Sequence, residues 1–210
     1  MFYQEFLKLN TEQIKAAVNS DDKARAESAV KKESATYQDF LALLSPAAAS
    51  LLDGMAIRSR EMTQKHFGKN INMYIPLYIS NECSNECAYC GFNRKNVINR
   101  KTLTQGEVKT ELENIKGQGF NSILLLTGEA PDKAGLNYIA QCVALARKYF
   151  TQVSLEIYPM DTDGYKKLVD SGATGLTVYQ ETYDIDTYKK VHLSGQKKNF
   201  EWRINAPDRA

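Results

Sequence analysis

From Asn72 onward, short apolar runs alternate with amphipathic stretches, and no other feature limits the fold as much. Strand-like runs fall at residues 73–79, 122–126, 153–157 and 175–179. Between the first two, Thr104 and Glu107 have capping-box spacing, and Val108, Leu112 and Ile115 follow as an i, i+4, i+7 stripe that Gly117 and Gly119 stop. A second helical pattern covers 136–149; its Tyr138, Cys142 and Leu145 share one face, which makes Cys142 a small core residue. A third runs from about 163 to 171 and ends at Gly172. Strands alternating with helices at this spacing predict βαβ units and a parallel sheet. The continuous apolar run at 122–126 suits a strand covered on both faces. Right-handed crossovers put every strand's C-terminal end on one side, the side that carries the active site in a barrel-like α/β fold.

Residues 1 to about 70 read as helical, with Phe40, Leu41, Leu43 and Leu44 in one stretch and Leu51, Leu52, Met55 and Ala56 in the next. Gly68 is placed to end the second stretch, and His66 in its last turn reads as structural. The predicted fold class is α/β: a partial TIM-type (β/α) barrel over 71–210, with an N-terminal helical extension over 1–70 that caps it. It is partial because only four strands of the βα type are present, against about 250 residues for a full set of eight units. Asn199 suits a helix cap and Pro207 a first helical turn, and the sequence stops three residues later. The expectation is the N-terminal part of a longer barrel, whose open edge would favour association.

Twenty-seven basic against 25 acidic residues give a net charge of +2 with no polybasic block, which argues against a nucleic-acid partner. The first residues are polar where a signal peptide is apolar. No apolar run approaches the ~20 residues of a membrane helix. Clustered cysteines without a secretory signal suggest a reducing compartment. A soluble, cytoplasmic protein with no membrane association is expected.

That cysteine cluster is Cys83-Ser-Asn-Glu-Cys87-Ala-Tyr-Cys90, a C-x3-C-x2-C spacing with no fourth cysteine nearby. Iron–sulfur clusters are held by cysteine thiolates, usually four; three leave one iron of a cubane open to a chelating ligand. Structural zinc wants a closed set of four N/S ligands, which the loop does not offer. Zinc completed by a distant histidine and merely incidental cysteines remain the alternatives, and the open-site cluster is the sharper reading.

The cysteine loop follows the first strand directly. Thr127-Gly128-Glu129 follow the second, Tyr158 and Pro159 the third, with Glu156 inside it, and Gln180-Glu181-Thr182 the fourth. Glycine at a strand end is ordinary turn chemistry, but in this register it stands on the same rim as the cysteines. Glycine allows close backbone approach to a ligand, and a carboxylate accepts hydrogen bonds from an ammonium group. Glu181 reads equally well as an exposed loop acid, and the direction of Glu156 depends on pleat parity.

The segments PLYISNECSNECAYCGF, RKTLTQGEV, LLLTGEAP, LEIYPMD and VYQETYDIDTYKKVHLSGQK resemble the radical S-adenosylmethionine (SAM) enzymes, and among them the ThiH-type tyrosine lyases, the 2-iminoacetate synthases of thiamine biosynthesis. The resemblance runs from about Leu41 to the last residue. It implies that Cys83, Cys87 and Cys90 ligate a 4Fe–4S cluster, and that SAM chelates the open iron through its amino and carboxylate groups. Tyr89 would flank the adenine; Thr127, Gly128 and Glu129 would hold the methionyl amino group. Glu156 and Gln180 are implied near the cofactor, and Glu181 as a catalytic residue near SAM or substrate. The implied reaction uses the radical made from SAM to take hydrogen from the amino group of L-tyrosine. The Cα–Cβ bond then fragments to 2-iminoacetate and p-cresol. Implied partners are thiazole synthase and an electron donor of the flavodoxin or ferredoxin type. His192 lies in an H-x-x-G-x-K stretch where Gln196 replaces the usual proline, and a structural role fits it as well as a catalytic one. Two other readings stand beside this one: the tyrosine-cleaving maturase of iron-only hydrogenase, and a non-catalytic iron–sulfur-binding fragment.

Overall fold

A computed structural model describes residues 1–210. The chain forms two compact units, one of residues 6–71 and one of residues 72–210 together with 1–5. After α1 (Phe2–Leu7), the helical unit contains α2 (Thr11–Val18), α3 (Lys23–Lys31), α4 (Tyr37–Leu43), a 3-10 segment Pro46–Leu51 and α5 (Leu52–Phe67). Each of α2 to α4 starts under a side-chain cap: Asn10, Asp22, and Thr36 in a reciprocal box with Asp39. Such caps satisfy amide groups that the helix itself leaves unpaired. Lys32 Nζ stands 2.6 Å from Asp39 Oδ1; that hydrogen bond, with those from Thr36, holds the Asp39 carboxyl far below the usual range. Helix α5 ends where the sequence predicts, at Gly68 with φ 64°. The stripe expected at 40–44 divides: Leu41 is buried, while Phe40 and Leu44 stay exposed. The buried face of α3 is alanine, Ala26 and Ala29, so this core takes few large side chains. No single helix in the chain is long and apolar enough to cross a membrane.

In the second unit, β1 (Tyr74–Ser80) precedes a short β2 (Glu86–Cys87). Next come α6 (Gln105–Gly117), β3 (Ser122–Thr127), α7 (Leu136–Ala146), β4 (Gln152–Glu156), α8 (Thr162–Asp170) and β5 (Gly175–Thr177). Strands β1, β3, β4 and β5 pair in that order in one sheet, every pair parallel. This is the predicted βαβ arrangement, an α/β fold whose four parallel strands form a partial, barrel-like sheet. The Thr104–Glu107 box opens α6. Gly119 and Gly172 take φ of 92° and 107° just after α6 and α8, the left-handed values that glycine reaches without a Cβ clash. Strand β5 is shorter than the sequence suggests, ending at Thr177.

Alternate residues of the strands separate two environments. Ile79, Ile123, Leu125, Val153 and Leu155 join Val108, Leu112, Ile139, Cys142 and Val143 in one core between sheet and helices. Burying each leucine or isoleucine contributes about 1.5–3 kcal/mol. The opposite face presents one cross-strand row, Tyr78–Leu126–Glu156–Thr177, in direct register.

Beyond β5 come α9 (Ile185–Val191), β6 (His192–Ser194), a 3-10 turn Gln196–Lys198, α10 (Phe200–Ile204) and α11 (Ala206–Arg209). Asn199 caps α10, accepting from Trp202 N. The sequence does not predict what β6 does: it pairs antiparallel with β2 inside the cysteine loop.

Candidate active site

The row Tyr78–Leu126–Glu156–Thr177 floors a cavity of about 370 Å³. Its walls include Cys83, Cys87 and Cys90 from the loop after β1, and Thr127, Gly128 and Glu129 from the turn after β3. Tyr89, Glu181, Lys197 and Arg203 complete them. The strand register thus answers the pleat question for Glu156, which faces the cavity. Of the residues that the sequence assigns to metal, cofactor or catalysis, Gln180 alone is not among those lining it: Gln180 is buried, and its Nε2 has no partner.

The loop that carries the thiols is fixed from several sides. Arg100 donates to Asn81 O and Phe92 O, both at 2.9 Å, and to Asn93 O at 2.7 Å, bracing the loop's two ends. Asn93 Nδ2 reaches Cys87 O at 3.0 Å. Ser84 donates through N and Oγ to Glu129 O, at 2.9 and 2.7 Å. Inside the loop, Asn85 Nδ2 donates to Glu129 Oε2 at 2.7 Å, and Asn85 Oδ1 accepts from Lys197 N at 2.9 Å. Glu86, buried, is paired to Lys95 at 2.9 Å and to Arg94. These bonds hold its carboxyl below the usual range, Lys95 contributing most.

The Thr127–Gly128–Glu129 turn lies against the same loop. A Cβ on Gly128 would stand 2.2 Å from Glu82 O, so only glycine lets the turn approach the residue before Cys83. Thr127 Oγ1 is buried without a partner, a hydroxyl on the cavity wall left for a ligand. Glu129 is buried and accepts on Oε2 from Arg203 Nη2 as well, at 3.1 Å.

Opposite, Tyr89 OH is 2.7 Å from His192 Nε2, and His192 Nδ1 is 2.9 Å from Tyr188 O. Both ring nitrogens are therefore engaged. Burial pushes the His192 imidazole below its ordinary value, against the opposing pull of the Tyr188 carbonyl. Burial also pushes the Tyr89 phenol up, helped by Cys87 and Glu181. Lys197 Nζ sits 2.6 Å from Glu181 Oε1 and 5.7 Å from the centre of the Tyr89 ring. For Glu181, burial alone would raise the carboxyl, but Lys197 outweighs it and the net direction is down. Glu156 goes the other way, raised by burial and by Glu181. Glu181 itself takes φ 70°, unusual for a residue with a side chain.

These donors suit a polynuclear cluster with an open position better than zinc. Three thiols line one cavity, one fewer than the closed set of four N/S ligands that structural zinc takes. His192 has no nitrogen to offer, and Cys142 is fully buried in the helix-side core, 3.4 Å from Gln105 Nε2. Sequence reasoning missed Asn85, Arg100, Lys197 and Arg203. Asn85 had its place between two cysteines as a signal, Lys197 its place in the H-x-x-G-x-K stretch and Arg100 its place in the RKTLTQGEV segment, whereas Arg203 gave none locally.

A family model of the radical SAM superfamily matches residues 77–210. The 2-iminoacetate synthase of Escherichia coli (strain K12) is 38% identical over 208 residues, which cover 99% of this chain and 55% of that protein. The chain thus spans about half the length of the curated relatives it matches. The crystal structure of HydG, a maturase of the FeFe-hydrogenase, superposes with a TM-score of 0.87 at 28% identity, covering 96% of this chain and 47% of that one. The crystal structure of methylornithine synthase (PylB) gives 0.72 at 29%, covering 89% and 55%.

Proposed function

The chain belongs to the radical SAM superfamily, and from that premise we propose that it serves a tyrosine lyase, which cleaves the Cα–Cβ bond of L-tyrosine to 2-iminoacetate and p-cresol for thiamine thiazole synthesis. The observation that carries this reading is the meeting of Cys83, Cys87 and Cys90 with Thr127, Gly128 and Glu129 on one cavity. It is supported by 38% identity to a 2-iminoacetate synthase along nearly the whole chain.

Members of this superfamily use a 4Fe–4S cluster and SAM. Cys83, Cys87 and Cys90 would hold the cluster as thiolates. Glu129, with the Thr127 hydroxyl and the backbone at Gly128, would take SAM's ammonium group, and Tyr89 would flank its adenine. When bound, the pair supplies an electron and a carbon radical that abstracts hydrogen. The chain's own residues position and shield that chemistry. Arg203 and Asn85 fix one oxygen of Glu129. His192 holds the Tyr89 hydroxyl. Glu181 is assigned the role nearest the reacting amino acid: Lys197 keeps it ionised, so it accepts from an ammonium donor. Glu156 stands on the cavity floor, while Gln180, buried and outside the lining, would act indirectly. Residues 1–70 are assigned as a helical extension and 71–210 as the barrel part. The cytoplasm, thiazole synthase as partner and a flavodoxin- or ferredoxin-type donor belong to the same proposal.

Anaerobic incubation of the reconstituted protein with SAM, reductant and L-tyrosine tests it, with p-cresol as the readout. Formation of p-cresol without cyanide or carbon monoxide supports the thiazole role. Their appearance would favour the hydrogenase-maturation reading, for which the structural likeness to HydG speaks. A cluster that binds SAM but yields no p-cresol would leave a non-catalytic iron–sulfur protein.

A further inference from the structure

Asn85 sits midway between two of the cysteines, 1% exposed, with every polar atom of its amide engaged. Its Nδ2 carries two hydrogens. One goes to Glu129 Oε2 at 2.7 Å, and Cys83 Sγ lies 3.7 Å from the same nitrogen. Its Oδ1 accepts from Lys197 N at 2.9 Å. A carboxylate and a thiolate only accept, and a backbone N–H only donates, so the amide has one possible orientation. It also has no room to shift. Gly195, at φ 87°, closes so tightly that a Cβ there would stand 2.1 Å from Asn85 Oδ1.

We propose that Asn85 is a positioning residue that joins the Cys83 thiolate to the Glu129 carboxylate through one amide, so that a ligand bound at Glu129 is felt at the metal-binding sulfur. This rests on the reading that a 4Fe–4S cluster and SAM occupy the cavity. The two acceptors share one NH2 group. An ammonium group drawing charge from Glu129 loosens that carboxylate's hold on the amide, and the amide then donates more fully to Cys83. Hydrogen bonds to ligand sulfurs tune a cluster, and the dependence runs both ways, because coupling between two sites is reciprocal. Aspartate is nearly isosteric but would face two anions with a third. Serine is too short to reach both.

The test uses reconstituted full chain with 15N in the asparagine side-chain amides, the reduced cluster being read by electron spin-echo modulation. Wild type should show coupling to an amide nitrogen that changes when SAM is added, and N85S should lack it. At full iron and sulfide content, N85S and N85D should bind SAM about 10–100-fold more weakly, the range seen when partners of metal ligands are changed. A wild-type cluster that responds to SAM but shows no amide coupling overturns the proposal. So do variants with full clusters and unchanged SAM affinity, or folded variants that hold no cluster, which would make Asn85 a requirement of loop structure only. If the variants do not fold, the wild-type modulation decides alone. A wild-type cluster indifferent to SAM would sink the underlying reading, a result separable from the rest.

Discussion

Arg203 donates to the same Glu129 oxygen that Asn85 holds, across 3.1 Å, with both side chains of the ion pair 6% exposed. A buried pair of this kind adds little net stability, yet breaking it is costly, because one charge remains without a partner. Arg203→Met should therefore destabilise the protein by about 3–5 kcal/mol, read as a shift of the urea midpoint. Arg203→Lys keeps the charge without the planar fork and should fall between. Equal stability of Arg203→Met and wild type would show that the pair does not form.

Gly128 gives a second prediction. A methyl group at this position would stand 2.2 Å from Glu82 O, and no side-chain rotation relieves that clash, since the obstacle is backbone. Gly128→Ala should push the turn away from the cysteine loop and lower iron incorporation while the sheet stays folded. Iron per chain and far-ultraviolet circular dichroism measure the two effects separately. Full iron content in a folded Gly128→Ala protein would remove the steric argument.

The four cysteines should divide three to one. Cys83→Ala, Cys87→Ala and Cys90→Ala should each abolish or sharply reduce cluster absorbance. Cys142 lies in the core, where burial raises its thiol. Cys142→Ala should keep the cluster at a stability cost of about 1 kcal/mol, typical of a small core truncation. Loss of iron in Cys142→Ala would reopen the question of a fourth ligand.

The Thr104–Glu107 box makes a prediction about acid. The Lys101 hydrogen bond, with those from Thr104, lowers the Glu107 carboxyl from 4.5 to about 2. A carboxyl depressed in the folded state contributes stability above its unfolded value, and that contribution is lost as pH falls through the folded one. The loss from this group should fall between pH 4.5 and about 2. Thr104→Ala should cost about 0.5–2 kcal/mol at neutral pH and flatten that acid limb. Parallel pH–stability curves for the two proteins would contradict it.

What could be read from the sequence was whatever is encoded over a few residues. The alternation from β1 to β5, the Thr104 box, the glycine stops at 119 and 172 and the core position of Cys142 all follow from local periodicity or turn chemistry. The parity of Glu156 did not, because it depends on register with β3 and β5. The pairing of β2 with β6 has no local signature either, since it joins a cysteine loop to three residues that directly follow α9, more than a hundred positions later. Arg100 and Arg203 look like surface cations in sequence. Their roles come from the carbonyls and the carboxylate that the fold brings to them. Gln180 fell next to Glu181 in sequence, yet one is buried off the cavity and the other lines it.

The bond between Asn85 and Lys197 spans 112 residues. Closing a loop of that length costs about 4 kcal/mol in chain entropy by the logarithmic estimate, so the sheet has to form before this contact becomes favourable. During synthesis at about 5–20 residues per second, the cysteines leave the ribosome roughly 5–20 s before the residue that braces them. For that interval the loop has at most its own bonds and those that reach Glu129. A cluster inserted in that interval would meet a loop whose second wall has not yet been made.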